Sequence, residues 1–153
     1  MRPDIVALVD ELLARIEEHA GDALPKRYRR YLYQEHRGLS HEDAPALEIF
    51  PEDATIEVFA TDGTMQVDPT ITVGWHEPSA YGAKTSDRRS DERVAQQGLE
   101  RAQAILEAVY ADGHVITLDS GREGYLTPAR SEWGLTEGLT WTCELEITVE
   151  WLQ

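Results

Sequence analysis

Five histidines, one cysteine and 29 carboxylates are the groups in this 153-residue chain that could do chemistry. The histidines, His19, His36, His41, His76 and His114, are scattered, and no two stand three or four residues apart, the spacing that puts two imidazoles on one helix face for a metal. His41, Glu42 and Asp43 could offer ligands from a loop. Three adjacent side chains do not converge easily on one ion, so a solvated loop is the simpler reading. Glu144 and Glu146 share a strand face at a spacing that glycoside hydrolysis could use, although a wet strand face explains them more simply. Cys143 has no visible histidine partner for nucleophilic activation and falls on an apolar face, as a small buried hydrophobe does. A single cysteine forms no intramolecular disulfide. Phosphate-loop, dinucleotide-loop, nucleophile-elbow and zincin motifs are missing from the sequence. No catalytic residue, metal ligand or cofactor is expected, and the chain does not read as an enzyme.

One segment departs from this background. PKRYRRYLYQEHR, residues 25–37, holds five of the fourteen bases (Lys26, Arg27, Arg29, Arg30 and Arg37) against one acid, Glu35. Tyr28, Tyr31 and Tyr33 are interleaved with them. Such a segment either folds against the chain's own acids or forms a contact patch for nucleic acid or for a protein's acidic surface. Arginine and tyrosine are enriched at protein interfaces, and arginine forms bidentate pairs with carboxylates. The candidate contact residues are therefore Lys26, Arg27, Tyr28, Arg29, Arg30, Tyr31 and Arg37.

The formal net charge of −15 weighs against general binding to DNA or to anionic membranes. No specific nucleic-acid binding and no membrane partner are expected. Only Lys26 and Lys84 are lysines. An acid-rich, lysine-poor chain is similar to proteins of salt-loving archaea and their viruses; an acidic protein from a GC-rich bacterium or its phage remains the alternative. No run of about 18 apolar residues could span a bilayer, and the acids within MRPDIVALVDELLARIEE do not suit a signal peptide.

The elements that must position these groups follow from periodicity. Ile5, Leu8, Val9, Leu12, Leu13 and Ile16 make one helical stripe, with Pro3 and Asp4 at its start and Gly21 at its end. Residues 25–45 suggest a short helix or an irregular excursion. Strands are expected over Ala46–Phe50, Thr55–Ala60, Thr70–Trp75 and His114–Leu118. A long helix should open near Ser86 or Ser90 and run to about Ala111, with Val94, Ala102, Ile105, Leu106 and Val109 inward. Residues 119–138 are rich in turn formers and read as a long connection.

LTWTCELEITVEW, residues 139–151, alternates without a break. Leu139, Trp141, Cys143, Leu145, Ile147, Val149 and Trp151 should face a core, leaving Thr140, Thr142, Glu144, Glu146, Thr148 and Glu150 on a wet face. Burial supplies at most roughly 1.5–3 kcal/mol per apolar residue, and ordering the backbone costs roughly 1–2 kcal/mol per residue, so this strand must pair inside a sheet. The expected fold is one α+β domain over residues 1–153, a mainly antiparallel sheet with two helices packed on one face.

This layout resembles the tail terminators of long-tailed phages and archaeal tailed viruses. The resemblance rests on the N-terminal amphipathic helix, DAPALEIFPED with its proline-flanked strand, the strands TIEVFA and TITVGW, the helix RVAQQGLERAQAILEAVYADG and the closing strand WTCELEITVEW. It covers nearly the whole chain as a pattern of elements. The arginine–tyrosine segment and DSGREGYLTPARSEWGLTEG have no counterpart in it. It implies a virion protein assembled in the host cytoplasm, a homo-oligomer forming a hexameric ring, with the tail tube protein and the head–tail connector as partners and no cofactor. Another neck or connector protein is the first alternative. A cellular acidic ligand-binding domain or enzyme, with a pocket under the loop holding Trp133, is the second.

If the closing strand is one-sided, Ile147→Asp should abolish soluble folded protein, because it buries an unpartnered charge. Glu144→Gln should leave the thermal melt almost unchanged. Equal damage from the two would refute the one-sided strand.

Overall fold

The computed structural model describes residues 3–36, 39–52, 69–79, 88–136 and 140–152. Helix α1 spans Asp4–Ala20. Strand β1, Arg29–Leu32, and strand β2, Ala46–Pro51, follow, with a 3-10 turn at His41–Asp43 between them. Strand β3 is Thr70–Pro78 and helix α2 is Arg88–Val109. Three strands close the chain: β4, Val115–Thr117; β5, Glu123–Leu135; and β6, Thr140–Trp151. The strand expected at Thr55–Ala60 lies outside the described residues.

The six strands form one sheet in the order β1-β2-β3-β6-β5-β4. The sequence predicts a mainly antiparallel sheet, and here it is corrected: the sheet is mixed. β1 runs parallel to β2, and the other four neighbours pair antiparallel. A parallel neighbour needs a crossover of about a dozen residues, and the excursion between Leu32 and Ala46 supplies one. Two segments expected as irregular are strands. β1 lies in the arginine–tyrosine segment, and β5 occupies most of the long connection after α2.

β6 sits between β3 and β5, as its need for pairing on both sides required. Its register sets Ile71 opposite Ile147, Val73 opposite Leu145 and Trp75 opposite Cys143. Opposed residues share a face, so these side chains line one side of the sheet together with Leu47 and Ile49 of β2, which oppose Trp75 and Val73. They gather in one core cluster with Leu8, Leu12 and Ile16 of α1 and Ile105 and Val109 of α2.

Two polar devices lock α2 to its neighbours. Arg15 of α1 is buried, donating through Nη1 to the Val109 carbonyl at 2.8 Å and through Nη2 to the Val115 carbonyl at 2.9 Å. A cation at the carbonyl end of α2 satisfies groups that have no partner within the helix and suits its dipole. Farther along the same helix, Arg101 donates to buried Glu77 of β3 at 2.6 Å, and the same carboxylate oxygen accepts the Trp75 indole N–H at 2.9 Å. Gly98 permits this approach, since a Cβ there would stand 2.7 Å from the Trp133 ring and 2.8 Å from Glu77 Cγ.

The Tyr110 hydroxyl, just past α2, is buried with no hydrogen-bond partner among the described residues. Burial pushes its pKa up to about 12 from 10.0. An unfolded chain gives up this proton first, so the group's contribution is intact below about pH 10 and is lost as pH rises through about 12. Tyr110→Phe should leave the neutral-pH melting temperature unchanged or raise it, because it removes an unsatisfied buried group. It should also flatten the decline in stability above pH 10 in alkaline denaturant titrations. A neutral-pH loss of about 1 kcal/mol or more would show that the hydroxyl has a partner.

Candidate functional site

The arginine–tyrosine segment forms the β1 edge of the sheet. Its backbone joins β2 through Arg29 N–H to Pro45 O at 3.0 Å and Tyr33 N–H to Ile49 O at 2.9 Å. Arg30 and Leu32 stand opposite Leu47 and Ile49, which places them on the core face; Arg29 and Tyr31 stand opposite Ala46 and Glu48, on the other. Tyr28 packs edge-on against Trp75, with centroids 5.6 Å apart, and donates to Glu17 Oε1 at 3.4 Å. Arg30 reaches the same oxygen at 2.5 Å and lies over the Tyr28 ring. Arg29 contacts Asp43 at 3.3 Å, and Tyr33 donates to Asp10. The Tyr31 ring lies 4.3 Å from the His36 ring.

Both sequence readings of the segment thus have a counterpart. Arg29, Arg30 and Tyr28 bond to the chain's own acids, while Arg29 and Arg30 on the edge strand and Lys26 and Arg27 just before it remain exposed. Six of the seven candidates, Lys26 through Tyr31, are brought together there. Arg37 lies outside the described residues. These ion pairs are exposed, and solvent screens them strongly.

The sequence does not reveal a polar chain on the sheet's second face. Glu48 is only 2 % exposed. Its Oε2 accepts the His36 backbone N–H at 2.7 Å, and its Oε1 lies 3.2 Å from His76 Nε2. His76 Nδ1 lies 2.8 Å from Thr142 Oγ1. The hydroxyls continue from Thr142 to Thr140 at 3.3 Å and from Thr140 to Thr136 at 2.8 Å. An ionised carboxylate only accepts, so a proton on Nε2 bonds to Glu48, and Nδ1 faces the Thr142 hydroxyl, which has both a donor and an acceptor to offer it. Gly74 leaves room for the chain, since a Cβ there would meet Nε2 at 3.2 Å.

The wet face expected for the closing strand is therefore corrected at its first half. Thr140 and Thr142 are buried, and the exposed carboxylates begin at Glu144. Burial, with Glu48, Glu35 and Glu132 nearby, raises the Glu144 carboxyl, an effect that His76 partly offsets. Trp141, expected inward, is half-buried and stacks on Trp133 at 5.6 Å.

Carboxylate, imidazole and hydroxyl in this order resemble the arrangement that activates a nucleophile. Placement decides against that use. Thr142 lies on a central strand and is buried, its hydroxyl held between His76 and Thr140. A cavity of about 140 Å³ lies on the opposite sheet face, lined by Trp75, Leu99, Leu106, Trp133, Cys143 and Leu145 among others. Trp133 is there, on a strand and not on the expected loop. The cavity is smaller than the roughly 300–1,000 Å³ typical of small-molecule sites. Burial pushes the Cys143 thiol up, with a bond to Ser131 acting the other way, which suits a wall residue better than a nucleophile.

Among the described residues no group of three or more histidines, cysteines and carboxylates could hold a metal ion. His41–Asp43 forms a 3-10 turn in which Asp43 accepts from the Ser40 backbone N–H at 2.8 Å, and these bonds with Ser40 lower its pKa. Among the described residues no helix is long and apolar enough to cross a membrane.

His76→Ala should cost about 1–3 kcal/mol in denaturant unfolding, because it strands one oxygen of Glu48 and the Thr142 hydroxyl. Combining it with Glu48→Gln should cost less than the sum of the two changes. Strict additivity would contradict a connected chain. Comparison with known proteins finds no matching family model and no matching characterised protein.

Proposed function

We propose that the chain is a structural, non-enzymatic subunit that assembles into a ring on a tailed virus, in the manner of a tail terminator that caps the tail tube and meets the head-side connector. The observation that carries this reading is the position of the arginine–tyrosine strand. Arg29 and Arg30 of a strongly acidic chain lie exposed on an edge strand, and Lys26 and Arg27 lie exposed in the segment leading into it, where they can meet an acidic neighbour without disturbing the core. In this reading both helices cover the sheet face of Leu47, Val73 and Leu145, leaving the edges for contacts between subunits. The resemblance in element order favours a six-membered ring, with the tail tube and connector proteins above and below it, in the virion. The internally bonded Glu48–His76–Thr142 chain supports a framework role over a catalytic one.

Changing Arg27, Arg29 and Arg30 together to Ser should weaken assembly, seen as a shift toward monomer in sedimentation velocity, and should lower the melting temperature little. Contact charges at a rim mainly alter the rate of encounter, whereas a buried arginine–carboxylate pair costs about 2–5 kcal/mol when one partner is removed. The size of the loss therefore reports how far the patch is buried. A triple variant that assembles like the parent would end this reading of the patch. Lower thermal stability with unchanged association would mean that these bases serve only their own fold.

A further inference from the structure

Among the described residues the sheet has a second edge without a neighbouring strand. β4 pairs with β5 only over Glu123–Tyr125, and the His114 carbonyl accepts from Leu126 just beyond. Among the described residues no strand lies beside Thr127–Leu135 on the side away from β6. The faces beside that edge are open as well. A strand with one covered face alternates buried and exposed residues, yet Thr127 through Glu132 are exposed without interruption. Leu135 is exposed as well. A long open edge of this kind is a template for pairing with another strand.

At the far side of the sheet, β1 offers the other half. Its N–H groups at Arg29 and Tyr33 turn toward β2, so the alternate residues Arg30 and Leu32 turn their backbone groups to the open side. The faces also match. On the core side, half-buried Leu32 would lie on the same face as Trp133 and Leu135. On the second face, Arg29 would continue the row in which Arg130 and Glu132 oppose Glu146 and Glu144. That row carries excess acid. Desolvation and the neighbouring Glu52 carboxylate hold the Glu146 carboxyl above the ordinary range, and Arg130, the base of that row, already contacts Glu132.

We propose that the occupant of the open β5 edge is a second copy of this chain, whose short β1 strand pairs within Thr127–Leu135 and sets Arg29 beside Glu132, with Glu144 one strand beyond. A contact between two different edges of the same chain is heterologous, and such contacts generate rings when the rotation closes. Charge explains the choice of partner edge, since a chain with net charge −15 repels its copies except where the basic strand meets an acidic row. This contact rests on the ring reading above and names the surface that would build it.

The test is a charge exchange read by light scattering. Arg29→Glu and Glu132→Arg, each alone, should shift the midpoint concentration of assembly upward by about 10-fold or more. Both positions are exposed, and an unchanged thermal melt in each variant confirms that the fold survives. Mixing the two variants in equal amounts should restore assembly, because every contact in an alternating ring then joins complementary edges. A merely structural role for either residue would give no rescue on mixing. If the parent chain assembles but either variant assembles equally well, or mixing restores nothing, this contact is overturned and the ring reading stands. A parent chain that stays monomeric at high concentration overturns both.

Discussion

β6 lies inside the sheet, so both of its edges must be paired, and every buried stretch of its two faces must be packed or bonded. Most of the structure answers that constraint. One face is served by Leu145, Ile147, Val149 and Trp151, which enter the cluster shared with α1 and α2. The other begins with two threonines that cannot be left dry and unbonded, and His76 and Glu48 supply their partners. Removing water from such a chain makes each bond stronger and each vacancy more costly. The polar chain thus ties β2 and β3 to the central strand in fixed register through Glu48 and His76.

The helices are held by a parallel logic. Arg15 ties α1 to the carbonyl end of α2, and the Arg101–Glu77 pair ties α2 to β3. Both are buried or nearly so, and a buried ion pair does more to select one arrangement than to add stability over an apolar pair of the same shape. Gly98 fits that account, because any larger residue would push the helix away from Glu77 and Trp133. What the core does not need is left at the margins. The arginine–tyrosine strand and the second half of β5 lie at opposite sides of the sheet, outside the main cluster.

The parts of this architecture that are legible in the sequence are those with an unbroken period. α1, α2, β2, β3 and β6 each show one, and their bounds fall within a few residues of expectation. β5 is hidden because its residues from Thr127 to Glu132 are exposed on both faces, so alternation does not appear there, and because Pro128 and Gly134 suggest a loop. The register shift between Pro128 and Arg130 breaks the period further. β1 is hidden for another reason: its residues are chosen for charge and aromatic contact, and its strand state comes from pairing with β2. The Glu48–His76–Thr142 chain joins residues 28 and 66 positions apart, a distance over which no local spacing is informative. The candidate patch, by contrast, is contiguous in sequence, and composition alone exposes it.

The account stands most directly on self-assembly through two unlike edges. Native mass spectrometry of the purified chain, taken over a range of protein concentration, measures this without any variant. Unlike edges that close on themselves predict one discrete closed species, at six times the chain mass if the ring is the six-membered one proposed above, with little material at two, three or four times the chain mass. A monomer at every concentration, or a dimer that grows no further, would contradict it, since a two-fold dimer uses one surface twice and leaves the basic strand and the β5 edge without each other.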